Sequence, residues 1–293
     1  MGDKPIEAGA ALTEALRADI ERLLTAEPDV RADADDSVHQ MRVATRRLRS
    51  VLRSYRALVD PDADNRIRTE LAWLAGILGV ARDAEVRAMR FAALLDRYAD
   101  PESTALASTR DRLVRAERDR YAAAHSEILT ALDSDRYRAM RRELKKWRKA
   151  PPLRDSVTGT PADEVFETVL RKDRKRVRRL VRSEPTVAPA ERVELLHDIR
   201  KSAKRLRYSC EAATAVLGDN AADLGKRAKQ LQTVLGDHRD AVESYDALRA
   251  RAAEAHTAGE DTTLFETLAD AEDTAAGRCL ALYPAAAAAI DTA

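Results

Sequence analysis

Apolar residues along this chain recur at intervals of three and four. Leu12, Leu16, Ile20 and Leu23 mark a first amphipathic helix that ends before Pro28. Met41, Leu48, Leu52 and Tyr55 carry a second. It starts near Asp36-Ser37, whose side chains suit an N-cap, and stops before Pro61. The pattern predicts a third element over about 65–98, with Gly76 and Gly79 as points of close packing or bending, and a long fourth over about 103–149 that breaks near Asp133-Ser134. Pro151-Pro152 and the stretch from Ser156 to Pro161, with Thr158, Gly159 and Thr160, read as a linker. Beyond it the pattern predicts helices over roughly 162–183, 190–217, 220–252 and 261–290. Alternation is absent and β-branched residues are scattered, so strands are not expected. Four antiparallel helices per half predict an all-α fold of two four-helix bundles, 1–150 and 162–293, joined by the linker at 151–161.

The polar faces contain a repeat. His39-Gln-Met-Arg42-Val-Ala-Thr-Arg46-Arg47-Leu48-Arg49 returns as His197-Asp-Ile-Arg200-Lys201-Ser-Ala-Lys204-Arg205-Leu206-Arg207, identical at five of eleven positions. Leu78-Gly79-Val80-Ala81-Arg82-Asp83-Ala84 returns as Leu235-Gly236-Asp237-His238-Arg239-Asp240-Ala241, at an offset of 157. Glu27-Pro28-Asp29-Val30 returns as Glu184-Pro185-Thr186-Val187 at the same offset, while the motif histidines are 158 apart. Three collinear anchors at nearly one spacing mark an internal duplication. On a helix, His39, Arg42, Arg46, Arg49 and Arg53 share one face, as do His197, Arg200, Lys204 and Arg207. Behind them run Met41, Leu48, Leu52, Tyr55 and, in the second copy, Ile199, Ala203, Leu206, Cys210. Each motif helix therefore packs by one side and carries a rail of cations on another. A pseudo-twofold between the bundles would bring the two rails together. Like charges one turn apart cost a few tenths of a kcal/mol per pair, a cost that a polyanion lying on the rail removes.

Charge placement sharpens this reading. The formal net charge is only +1, but residues 1–38 hold ten acids against four bases, and 237–293 hold twelve against four. Bases gather between them: six with one acid over Arg141–Lys149, and eight with one acid over Arg171–Arg182. The chain is thus expected to set up a local positive field that its net charge conceals. With 45% hydrophobic but only 4% aromatic residues, the composition fits long amphipathic helices. Cys210 and Cys279 lack metal-type spacing and read as buried apolar residues in a reducing compartment. No leader-like or membrane-length apolar run is found, which points to a cytoplasmic protein with no membrane partner.

The His-x-x-Arg-x-x-x-Arg/Lys-Arg-Leu-Arg helix, followed about forty residues later by Leu-Gly-x-x-Arg-Asp, both twice and in order, resembles the CHAD family, the histidine-containing α-helical domains. The resemblance runs from the first helix to about residue 285. It implies two four-helix bundles with internal pseudo-symmetry and binding of inorganic polyphosphate through a basic surface or pore between them. Some relatives carry a triphosphatase domain with a Glu-x-Glu-x-Lys signature; nothing like it occurs here, so the chain resembles a stand-alone member. Carried over position by position, the ligand-facing residues would be His39, Arg42, Arg46, Arg49, Arg53, His197, Arg200, Lys204 and Arg207. The two copies differ where Val43 of the first occupies the motif position of Lys201 in the second, and Lys201 is added to the expected contacts. Secondary contacts are expected from Lys145, Lys146, Lys149, Lys172, Lys175, Arg176 and Arg179 in the two basic tracts.

Polyphosphate has no bases to read, so its recognition rests on many charge-assisted hydrogen bonds, bidentate from Arg and point-like from Lys. The competing reading is a solvated helix face; against it, both stripes are taken to lack acids able to pair at i+4. For His39 and His197, contact with phosphate, a structural hydrogen bond and metal ligation are all open, the last disfavoured because neither motif offers a second His or Cys at i+3 or i+4. Arg82-Asp83 and Arg239-Asp240 are read first as structural ion pairs to the motif helices. Trp73 and Trp147 are expected to pack rather than stack on bases. No phosphate loop, nucleophile elbow, His-Glu-x-x-His or acidic Mg²⁺ site occurs in the basic regions, so a non-enzymatic binding module without a cofactor is expected, drawn to polyphosphate granules. The rivals are a nucleic-acid-binding protein, disfavoured by the scarcity of aromatics, and a metal-dependent phosphohydrolase.

Overall fold

A computed structural model describes residues 6–155 and 159–291; Ser156, Val157 and Thr158 of the expected linker lie outside them. Among the described residues the chain is all-α, its only strand-like pairings being the isolated bridges Glu7–Pro161 and Val59–Leu153. In order, the helices are α1 (Ala8–Thr25), α2 (Glu27–Arg31), α3 (Ser37–Ser54), α4 (Pro61–Tyr98) and α5 (Leu106–Arg110). A π-helical turn, Asp111–Arg115, leads into α6 (Ala116–Leu132), followed by α7 (Asp135–Trp147). The second half holds α8 (Ala162–Ser183), α9 (Pro189–Leu217), α10 (Asp219–Thr257), α11 (Thr263–Ala281) and α12 (Tyr283–Ala288).

The apolar periodicity marks these helices well, and their ends follow local chemistry. Leu12, Leu16 and Ile20 of α1, Met41, Leu48 and Leu52 of α3, and Ile199, Ala203, Leu206 and Cys210 of α9 are all fully buried. Helix α4 begins at Pro61, four residues before the expected start, because Asp60 Oδ1 accepts the Ala63 N–H at 2.9 Å and proline suits a first helical turn. It then runs unbroken through Gly76, where an added Cβ would meet nothing within 4 Å. The close approach occurs instead at Gly225, whose Cβ position lies 3.2 Å from Cys210 Cβ and lets α10 settle against α9. The break expected near Asp133-Ser134 is there: Ser134 caps α7, accepting the Tyr137 N–H at 3.1 Å. Asp36 does not cap α3 through its side chain; it holds a left-handed φ of 56° and accepts a hydrogen bond from Gln40 Nε2 at 2.6 Å. The connector after α7 is tied down by backbone bonds from Asp60 N to Pro152 O, Arg154 N to Leu58 O and Ala8 N to Thr160 O, each 2.8 Å.

The chain partitions into two compact units. One comprises residues 1–78, 128–232 and 285–293; the other, residues 79–127 and 233–284. These are not the sequential halves 1–150 and 162–293, because α4 and α10 each contribute to both units. At 38 and 39 residues they are about 57 Å long at about 1.5 Å per residue, more than one bundle core spans. The second unit packs Phe91 and Leu95 of α4, Leu113 and Val114 of the π turn, Leu248 of α10, and Phe265 and Leu268 of α11 around one core. Arg90 closes its edge with two bonds of 2.5 Å to the buried Glu272 carboxylate. The first unit holds both motif helices, α3 and α9.

Candidate anion-binding cleft

Within the first unit, each motif helix is anchored by an arginine at the same repeat position. Arg47 Nε donates to Asp19 Oδ1 of α1 at 2.5 Å. Arg205 Nη2 lies 2.8 Å from Asp173 Oδ1 of α8, and its Nε donates to Ser54 Oγ, which in turn donates to Asp173 Oδ2 at 2.6 Å. Asp19 and Asp173 are both buried. Burial pushes the Asp19 carboxyl above its ordinary range, against the pull of Arg47 and Arg22. Both acids were legible as lone carboxylates within apolar stripes, Asp19 beside Leu16 and Leu23 and Asp173 between Leu170 and Val177. Tyr55 Oη adds a buried bond to Ser209 O at 2.9 Å, joining α3 to α9.

One residue earlier on each helix, about 100° round the axis, stand Arg46 and Lys204. Neither has a carboxylate partner among the described residues, and the same holds for Arg49, Arg53 and Arg200. Burial, then repulsion by Arg42, Arg49 and Arg200, pushes Arg46 down to about 10. Burial, then repulsion by Arg46, Arg200, Arg42 and Arg207, pushes Lys204 down to about 6. Arg49 is lowered by burial and by Arg53 and Arg68. The two rails thus converge: cations of α3 and α9 feel one another directly.

The buried ring of Tyr208 sits beneath three of these cations, 5.2 Å from Arg207 Cζ and 5.7 Å from both Arg47 Cζ and Lys204 Nζ. At that range a ring face offsets part of the mutual repulsion. The first copy has Ser50 at this position, and nothing in the motif singles the tyrosine out.

The expectation that acids are missing at i+4 fails at one position. Glu211 accepts from Arg207 Nε at 2.7 Å and also pairs with Arg47, so Arg207 is tied back into the helix pair. Lys201 is exposed and pairs with Asp198 at 2.6 Å. His39 and His197 are half-buried, one turn before Arg42 and Arg200. Among the described residues no group of three His, Cys, Asp or Glu side chains is placed to hold a metal ion.

A cleft of about 710 Å³ opens onto this cluster. Arg46, Arg49 and Arg53 of α3, Lys201, Lys204 and Arg205 of α9, and Arg176 of α8 line it. Helix α4 adds a wall that the motif does not signal, including Arg68, which pairs with Asp64 at 2.9 Å. A smaller cavity of about 330 Å³ adjoins it, sharing Arg53, Arg176 and Arg205 and adding the exposed Lys172, Lys175 and Arg179. The Arg171–Arg182 tract is therefore brought to the cleft. Lys145, Lys146 and Lys149 line neither cavity; Lys146 pairs with Glu143, and neighbouring Arg148 with Glu21 of α1 at 2.6 Å. Arg82 and Arg239, in the second unit, make local pairs with Glu85 and Glu243. Trp147 is buried and bonded to Glu143, while Trp73 lies under Arg136.

The expectation of buried cysteines holds for Cys210 and only in part for Cys279, which is half-buried; both are free thiols. Among the described residues no helix is long and apolar enough to cross a membrane.

Known proteins share this architecture. In fold, the chain is similar to PptA from Streptomyces chartreusis, with a TM-score of 0.77 at 20% identity over 97% of this chain and 99% of that one. It is also similar to the CHAD domain from the plant Ricinus communis, with a TM-score of 0.68 at 22% identity over 99% and 94%. In sequence it is 38% identical over 264 residues to the uncharacterized proteins MT2285 and Rv2226 of Mycobacterium tuberculosis strains CDC 1551 and H37Rv. Those residues make up 89% of this chain and 49% of each relative, so the chain spans about half the length of the curated relatives it matches. The CHAD domain model matches residues 14–249, and the chain belongs to the CHAD domain family.

Proposed function

We propose that this chain is a non-enzymatic binding protein for inorganic polyphosphate, held in the cleft between α3, α4, α8 and α9 and drawn to polyphosphate granules in the cytoplasm. One contrast carries the reading. Arg47 and Arg205 are fully paired with buried acids, while their neighbours Arg46 and Lys204 face like charges with no carboxylate beside them. Structural cations find acids. A cluster left at this electrostatic cost is built for an anion that comes from outside. The supporting chemistry is that of a linear chain of phosphates: donors arrive from several helices, and among the described residues no aromatic side chain lines the cleft. Arg46, Arg49 and Arg53 step along α3 by three and four residues, so they follow a polymer rather than a single phosphate. Each contact displaces condensed counterions, which makes affinity steeply salt-dependent.

The test is a titration of long-chain polyphosphate into the wild type and the triple variant R46A/R49A/K204A. At roughly 1.5 kcal/mol or more per charged contact, affinity should fall by about three orders of magnitude, with the melting temperature unchanged or raised. Unchanged affinity would refute the assignment of this cleft.

A further inference from the structure

The cations of α8 do not stop at the cleft. A third cavity, of about 840 Å³, lies between α8 and the start of α10, and it shares Lys175 and Arg179 with the second cavity. The second in turn shares Arg53, Arg176 and Arg205 with the motif cleft. The three linings therefore share cations from one to the next within the first unit, from Arg46 to Arg182, with Asp198, Asp173, Glu167 and Asp223 as the acids among them. In the third cavity Arg174 and Arg178 are engaged by the C-terminal segment, through Ile290 O at 2.9 Å and through Asp291. Arg182 is exposed and has no carboxylate partner among the described residues. Arg171 reaches only Glu167, at 3.8 Å between two well-exposed side chains, a pairing too weak to hold it. From Arg171 to Arg182 the helix rises about 16 Å at about 1.5 Å per residue.

We infer that the trough between α8 and α10 is an outer binding site for the phosphate chain, which leaves the motif cleft across α8 and continues to Arg182. The inference rests on the polyphosphate reading above and extends it: the site prefers long chains because only they reach the trough. Tripolyphosphate, three phosphates long, occupies the motif cleft alone. A long chain engages the trough as a second, intramolecular contact, which raises affinity without any new contact in the cleft.

The test compares tripolyphosphate and long-chain polyphosphate on the whole chain, wild type against R171Q/R182Q. Both positions lie outside the motif cleft and the cavity next to it. The variant should bind tripolyphosphate as the wild type does and lose roughly tenfold in long-chain affinity. Its slope of log affinity against log salt should be shallower by about 1.4, at about 0.7 per lost contact. The charge-preserving R171K/R182K should retain most of the long-chain affinity, and circular dichroism should be unchanged in both. If the glutamine variant bound both ligands like the wild type, the outer site would be refuted and the cleft left standing. Equal losses for both ligands would show that the trough is not separate from the cleft. Failure of the wild type to bind either ligand would overturn the polyphosphate reading and this extension together.

Discussion

Lys204→Met removes one ammonium group from a cluster of like charges and keeps the aliphatic stem beside Tyr208. In the folded protein Lys204 is held at about 6, against an ordinary 10.5. At pH 7 the unfolded chain carries this proton and the folded one largely does not. One decade of displacement corresponds to about 1.4 kcal/mol, so the three and a half decades between pH 7 and 10.5 set an upper bound of about 5 kcal/mol. Solvent around the half-buried side chain reduces this to roughly 1–3 kcal/mol. The sign follows from proton counting: between pH 6 and 10.5 the unfolded state binds more protons, so wild-type stability rises with pH across that window. Lys204→Met should therefore be more stable than the wild type, most of all at pH 6 and below, with the gap closing towards pH 10. Urea unfolding at pH 6, 7.5 and 9 measures it. The same variant should bind long-chain polyphosphate about tenfold more weakly at pH 6. Wild-type binding at pH 7.5 should take up a proton, seen by calorimetry as a binding heat that depends on the buffer. A variant less stable than the wild type, or a gap constant with pH, would refute the account of this cluster.

Removing an anchor should do the opposite of removing a rail residue. Arg47→Ala leaves the buried Asp19 carboxylate short of its main partner and should cost about 3 kcal/mol in urea unfolding, whereas Arg46→Ala should cost nothing measurable. Contacts from Arg46, Arg49, Arg53, Arg176 and Lys204, which line the cleft without a carboxylate partner among the described residues, at about 0.7 each, predict that log affinity for long-chain polyphosphate falls against log salt with a slope of about −3.5 or steeper; fluorescence titrations between about 50 and 300 mM salt read it. Cutting the chain within the linker should give pieces, 1–155 and 161–293, that fail to fold apart and recover helicity only when mixed, because Tyr55–Ser209 and Ser54–Asp173 join them inside one compact unit; circular dichroism and sizing follow this.

Helix positions were legible because each helix buries a stripe at regular spacing, and the rails were legible because the same helices keep their cations on another face. The compact units were not. A 38-residue helix and a 39-residue helix look alike in the two halves, and the Leu78-Gly79 and Leu235-Gly236 anchors beside the boundaries near 78 and 232 do not interrupt either helix or say where one core ends and the next begins. The division of labour between Arg46 and Arg47 was also hidden, since adjacent arginines differ only in which way the helix turns them. Asp19 and Asp173 held the missing information, as acids on apolar stripes, once the partner helix was known. Glu211 shows the limit from the other side: an acid one turn after Arg207 stood in plain view, and its pairing removes that arginine from the free cluster. Tyr208 and the α4 wall with Arg68 carry no sequence signal of their own, because they meet the rails only through tertiary packing.

The most direct measurement is a competition between long-chain polyphosphate and duplex DNA for the whole chain, at equal phosphate concentration and at two salt concentrations. A thin, flexible chain enters a cleft of about 710 Å³ lined from four helices, whereas a stiff duplex touches only the exposed rim, Arg53 and Lys172 among it. Polyphosphate should displace DNA at both salt concentrations, and R46A/R49A/K204A should lose polyphosphate affinity far more than DNA affinity. Equal competition, or equal losses for the two polymers, would mean a generic basic surface and would contradict the cleft as the binding site.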